Sequence, residues 1–173
     1  MEAKWLDGYS GQTVDQLLAL SAEYRIDTIV LAFEGALARR AQSLGLGALN
    51  EVEISVPAIE ALEREVNNGG HHQFFLNTPE YVEYVVPALR RIGCTRTADV
   101  TQKAIDLLEL PGPVTALRVS AALDHDSQGR LIEILIEECD APYFDEPEAI
   151  ADRLFAYLSE NRERIRLSDV HAS

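Results

Sequence analysis

The chain has 173 residues and a mass of 19.2 kDa, with 15 Lys and Arg against 29 Asp and Glu, a formal charge of −14 and a pI near 4.6. Its 47% hydrophobic and 25% charged content is that of a folded globular protein, so the acidity does not mark a disordered tail. Phosphates are bound by clustered Lys and Arg, which argues against nucleic acid and strongly anionic membranes as direct ligands. Thr13 is placed to cap a first helix from Val14 to about Tyr24, with Val14, Leu17, Leu18 and Ser21 on one side. Asp27 caps a second, whose stripe is Ile29, Ala32, Phe33, Ala36 and Leu37 and whose stops are Gly45 and Gly47. Ser55 followed by Val56 and Pro57 starts a third, with Ile59, Leu62, Glu63 and Val66 on its face, and Gly69 and Gly70 end it.

A short His71 to Asn77 segment follows. Thr78 and Pro79 then open a helix towards Ile92 that Gly93 closes, and Pro87 inside it predicts a kink or break near Val85 and Val86. Thr97 or Asp99 to Leu110 forms the next helix, punctuated by Pro111, Gly112 and Pro113, and Val114 to about Leu123 extends the pattern. Leu131 to Asp140 reads as helix rather than buried strand, because no strong strand exists to pair with it. The last helix spans roughly Glu146 to Arg166, with Ile150, Leu154, Tyr157 and Leu158 inward. The expectation is an all-α, single compact multi-helix domain over residues 13–166, with an N-terminal arm, 1–12, and a C-terminal tail, 167–173.

Charge position is more informative than charge total. Between Asp124 and Asp152 lie ten acids (Asp124, Asp126, Glu133, Glu137, Glu138, Asp140, Asp145, Glu146, Glu148 and Asp152) against a single base, Arg130. Arg90, Arg91, Arg96 and Lys103, offset only by Asp99, form a locally basic stretch, so the molecule is expected to be electrically lopsided. If their segments are helical, Glu133/Glu137 and Glu148/Asp152 put carboxylates on one face about 6 Å apart, a separation comparable to that of successive strand phosphates. The acids from Glu133 to Asp152 are therefore candidates for a ridge that faces a basic partner. The plainer alternative is that Glu146 and Glu148 meet a helix N-terminus and the others are a solvated face.

Candidate chemistry elsewhere is thin. His71 and His72 are adjacent and lack an HxxxH or HExxH companion, so they read as packing or surface histidines; His125 and His171 are isolated. Asp124, Asp126 and Gly129 open like a calcium loop, but Leu135 stands where a bidentate Glu is needed. There is no GxSxG setting or Gly-rich phosphate loop, and Lys4 and Lys103 are the only lysines. Cys94 and Cys139 are expected to be free thiols in a reducing compartment. The polar N-terminus is no secretory signal and no apolar run approaches the ~18 residues of a membrane span, so the expectation is a cytoplasmic, non-enzymatic protein with no metal or cofactor.

The least generic stretch is Asn68, Gly69, Gly70, Gln73, Phe74, Phe75 and Asn77. It reads as a helix stop, a tight backbone approach, an aromatic pair pinning the turn, and amides that satisfy loose backbone groups. Together with Leu62 to Glu65, Ala88 to Cys94, Thr101 to Ile105 and Ile150 to Leu158, it resembles a bacterial DNA-mimic protein family, over about residues 13–166. That resemblance implies an all-helical, dimeric, cytoplasmic protein. It also implies occupation of the DNA-binding face of a helix-turn-helix transcription factor. The rival expectations are an immunity or antitoxin protein that neutralises a basic toxin or nuclease, and a small carboxylate-based enzyme.

Overall fold

Thr13 opens α1 (Val14–Ala19) through a reciprocal cap: its hydroxyl accepts the Gln16 N–H, and the Gln16 amide oxygen accepts the Thr13 N–H. The computed structural model describes residues 3–126 and 129–168. The chain is all-α, and among the described residues the only β feature is an isolated bridge between Lys4 and Tyr24. Packing divides it into two compact units, Met1–Pro57 with Ala149–Ser173, and Ala58–Glu148. Part of the expected C-terminal tail, 169–173, lies outside the described residues, as do Ser127 and Gln128 of the calcium-like stretch.

In the first unit α2 (Ile26–Leu44) buries the expected stripe of Ile29, Ala32, Phe33, Ala36 and Leu37. It packs on α9 (Ile150–Glu160), whose inward line is Ile150, Leu154 and Leu158. The last helix is thus shorter than the Glu146 to Arg166 expected. Asp27 lies inside the first turn of α2, paired with Arg25 and accepting the Thr28 N–H. α1 is shorter than expected and passes into a 3-10 turn, with Leu17 its one buried residue.

The helix α3 (Glu51–Asn77) begins ahead of the Ser55–Pro57 signal. Asn50 Oδ1 accepts the N–H groups of Val52 and Glu53, while Glu53 Oε2 accepts the Asn50 N–H at 2.9 Å. This satisfies the open donors of the first turn and leaves Pro57 within the helix. Glu53 is fully used: its other oxygen takes Arg40 at 2.8 Å and the Arg166 N–H at 2.8 Å.

In the second unit α3 breaks at Gly69 and Gly70 and then resumes, so the segment 71–77 is helical rather than a connector. A 3-10 turn at Pro79–Tyr81 leads into α4 (Val82–Arg91), which runs unbroken through Pro87. Pro87 is only in the second turn, so its missing N–H removes a single early hydrogen bond. Gly93, at φ 77°, closes α4: its N–H reaches the Arg90 carbonyl and the Cys94 N–H the Leu89 carbonyl. α5 (Thr95–Asp106) packs back on α4, and α6 (Ala116–His125) is capped by Thr115. A continuous helical run follows, made of α7 (Arg130–Leu135), a π turn over Ile136–Asp140 and α8 (Ala141–Asp145).

Candidate functional site

The run 130–145 carries most of the acids singled out from sequence, and the π turn decides which way they point. Asp126 starts it, its two carboxylate oxygens accepting the Arg130 and Leu131 N–H groups at 3.1 and 3.0 Å. Leu135, Cys139 and Asp140 are buried, whereas Glu133, Glu137 and Asp145 lie on the exposed side with no ion pair among the described residues. A π turn holds one more residue per turn than an α turn, which allows Cys139 and Asp140, adjacent in sequence, both to face inward.

Of the remaining acids of the expected ridge, Glu138, Asp140, Glu146 and Glu148 are engaged within the protein. Glu138 pairs with Lys103 at 3.0 Å. Glu146 pairs with Arg96 Nε at 3.4 Å, and the same guanidinium donates to the carbonyls of Glu146 and Pro142. Glu148 Oε2 accepts both the N–H and the hydroxyl of Thr97 at 2.8 Å, so it caps the first turn of α5. Glu148 precedes α9 and does not form the helical pair with Asp152 that its spacing suggested. Asp152 belongs to the first unit, exposed in the first turn of α9. The basic stretch is likewise consumed: Arg96 and Lys103 neutralise members of the acidic window, and Arg90 lies 3.5 Å from Asp99. Acidic and basic segments thus meet each other rather than standing as opposite poles.

Asp140 departs furthest from a surface role. Its Oδ1 accepts the His71 backbone N–H at 2.9 Å and lies 2.6 Å from His71 Nδ1, so one carboxylate both caps the resumed half of α3 and fixes the imidazole. His71 is fully buried, edge-on to Tyr143 with ring centroids 5.5 Å apart, and its Nε2 has no hydrogen-bond partner among the described residues. The Tyr143 hydroxyl donates to Glu63. Burial pushes the Glu63 carboxyl above its ordinary range and the Tyr143 phenol up as well. Burial also raises the Cys139 thiol to about 11, so this cysteine is held as a thiol; both cysteines are buried and neither forms a disulfide.

The glycine–amide motif surrounds this cluster. Gly70 adopts φ 76°, ψ −178°, and any Cβ there would overlap the Asp140 carboxylate. A Cβ on Gly69 would overlap the Gln73 side chain. Gln73 and Asn77 do not serve loose backbone groups. Both amides donate to Glu65 Oε2, at 2.9 and 2.8 Å, with Arg64 Nε 3.3 Å from the other oxygen. These donors, Asn77 foremost and Gln73 next, hold the Glu65 carboxyl below its usual range. Phe74 and Phe75 are completely buried, with ring centroids 5.8 Å apart, while Asn68 is exposed. Glu65 and Asp140 are the residues that sequence reasoning missed as centres of this motif. The amides spaced along 73–77 were the available signal for the first, and nothing local signalled the second.

As chemistry, the cluster is closed. Asp140 is hydrogen-bonded to His71, Glu63 to Tyr143 and Glu65 to Gln73 and Asn77, and among the described residues no group of three or more His, Cys, Asp and Glu could hold a metal ion. A cleft lined by Leu107, Leu108, Pro111, Ala121, Ala122 and Leu131 has two acids at its margin, Glu109 and Asp126, and the second is committed to capping α7. Among the described residues no helix is long and apolar enough to cross a membrane.

A family model described as DMP19-like protein matches residues 47–161, from the approach to α3 through the end of α9, and takes in both the glycine–amide motif and the acidic run. No curated protein and no solved structure matches the chain.

Proposed function

The chain belongs to the DMP19-like protein family, and on that premise we propose that it is a non-enzymatic DNA mimic that binds a basic DNA-binding protein, such as a helix-turn-helix transcription factor, in competition with DNA. The observation that supports the reading is the exposed side of the 130–145 run. There Glu133, Glu137 and Asp145 face solvent without internal counterions, while Glu138, Asp140, Glu146 and Glu148 hold the run in place. Carboxylates so presented occupy the Arg and Lys that would otherwise neutralise phosphates, and a partner held this way loses its operator. The acids that matter are then fewer than a charge count suggests, and the four internally engaged acids contribute by fixing the geometry of the outward three. The protein acts in the cytoplasm as a homodimer.

The test is a mobility-shift titration with a helix-turn-helix regulator recovered from native extract at low salt, bound to its operator. Added protein is expected to release the operator, with an effect that fades as salt shortens the Debye length below ~10 Å. Glu133→Lys, Glu137→Lys and Asp145→Lys together are expected to abolish release. Undiminished release by that triple variant, with the same salt dependence, rules the reading out.

A further inference from the structure

The outward side of the 130–145 run is not purely acidic. Ile132, Ile136 and Phe144 are 36%, 54% and 49% exposed, in the same run as buried Leu135 and Cys139. Ile132 and Ile136 stand one turn apart, each next in sequence to an exposed glutamate, Glu133 or Glu137. Phe144 likewise precedes exposed Asp145. Three large apolar side chains partly facing water on one short run leave apolar burial unused in a free monomer.

We infer that this face, Ile132, Ile136 and Phe144 interleaved with Glu133, Glu137 and Asp145, is a mixed docking surface for a basic amphipathic protein helix, one that offers leucine-like side chains between its arginines. The inference rests on the reading of the protein as a binder of basic proteins, and adds what part of the partner it grips. Charge complementarity selects the occupant. A second copy of this chain would bring Glu133, Glu137 and Asp145 against the same three acids, and like charges in a closing interface are unfavourable. Bare phosphate-binding surfaces, with arginine and lysine alone, would leave the three apolar side chains unmatched. An amphipathic helix with basic and aliphatic positions answers both halves of the face. The carboxylates set orientation and association rate, and the apolar residues slow dissociation.

The experiment uses two synthetic helical peptides of equal length and equal positive charge, one with leucines and one with serines between its arginines. Binding of the intact protein is followed by fluorescence anisotropy across a salt series. The leucine peptide is expected to bind on the order of tenfold more tightly, and to keep that advantage at high salt, because apolar burial is not screened. Ile132→Ser with Ile136→Ser is expected to erase the advantage and leave the salt slope unchanged, whereas Glu133→Gln with Glu137→Gln is expected to lower the slope and leave the advantage intact. All four sites are exposed, and circular dichroism verifies that the variants fold. Equal binding of the two peptides with a steep salt slope overturns the mixed surface while leaving the electrostatic reading standing. No salt-dependent binding of either peptide removes both. Loss of self-association in the isoleucine variants, seen by sedimentation, identifies a second copy as the occupant and overturns the proposal.

Discussion

The Asp140 carboxylate occupies the space that a Cβ at position 70 would need, and from there it accepts the N–H of the next residue, His71. Glycine at 70 is therefore required twice, for an approach no side chain permits and for a backbone conformation at φ 76°, ψ −178° that other residues rarely adopt.

Gly70→Ala is accordingly expected to destabilise the fold by about 2–4 kcal/mol, combining backbone strain with displacement of a buried carboxylate. Gly69→Ala is expected to cost less, because its neighbour is mainly the far end of the Gln73 side chain. Urea unfolding followed by circular dichroism orders the two, and the reverse order would contradict this account of the pair.

Removing Asp140 separates architectural acids from surface ones. Asp140→Ala leaves the His71 N–H and imidazole without their acceptor and is expected to cost about 1–3 kcal/mol for each buried group left unsatisfied. Glu133→Ala and Glu137→Ala, each exposed, are expected to stay within about 0.5 kcal/mol of the parent. Thermal melts of the three variants suffice as the measurement.

Two glutamates on one helix are expected to respond to pH in opposite senses. Glu65 has its carboxyl lowered by Asn77, Gln73 and Arg64, so it contributes stability above its ordinary value of 4.5 that is lost as pH falls through the depressed folded value. Glu63 is raised by burial, so its contribution is fullest below 4.5 and is lost as pH rises through the elevated one. Glu65→Gln should therefore lower stability at neutral pH, and Glu63→Gln, which keeps an acceptor for Tyr143, should increase it. Both differences are expected to shrink at acidic pH, as read from denaturant midpoints across a pH series.

Glu148→Ala removes the cap that Thr97 receives and is expected to cost about 1 kcal/mol, with the effect localised to the first turn of α5. Amide exchange is the discriminating measurement: protection should fall around Thr95 to Ala98 and remain unchanged in α2.

The helices were legible because their causes are local. Thr13 and Gln16, the Ile29 to Leu37 stripe, Gly93 and the break at Gly69–Gly70 all act within a few residues of where they stand. Two of the features missed share one form, in which the deciding partner is distant in sequence. The segment 71–77 is helical because Asp140 caps it, and α5 is capped by Glu148. A tally of acids from 124 to 152 counted these structural carboxylates with the solvent-facing ones, since nothing in a one-dimensional charge count separates a cap from an exposed ligand. The resemblance to the DNA-mimic family was carried by the glycine–amide motif, whose hydrogen bonds specify architecture.

The π turn at Ile136–Asp140 gives the helical run a phase shift of one residue, with Glu137 on one side of it and Asp140 on the other. A residue added or removed there without a compensating change of pitch would rotate everything downstream by about 100°. Either the acidic face or the seat of Asp140 beside Gly70 would then be lost. The length of this turn is thus a spacing constraint in this chain. Substitutions on its outer surface leave that spacing intact, while insertions and deletions within it do not.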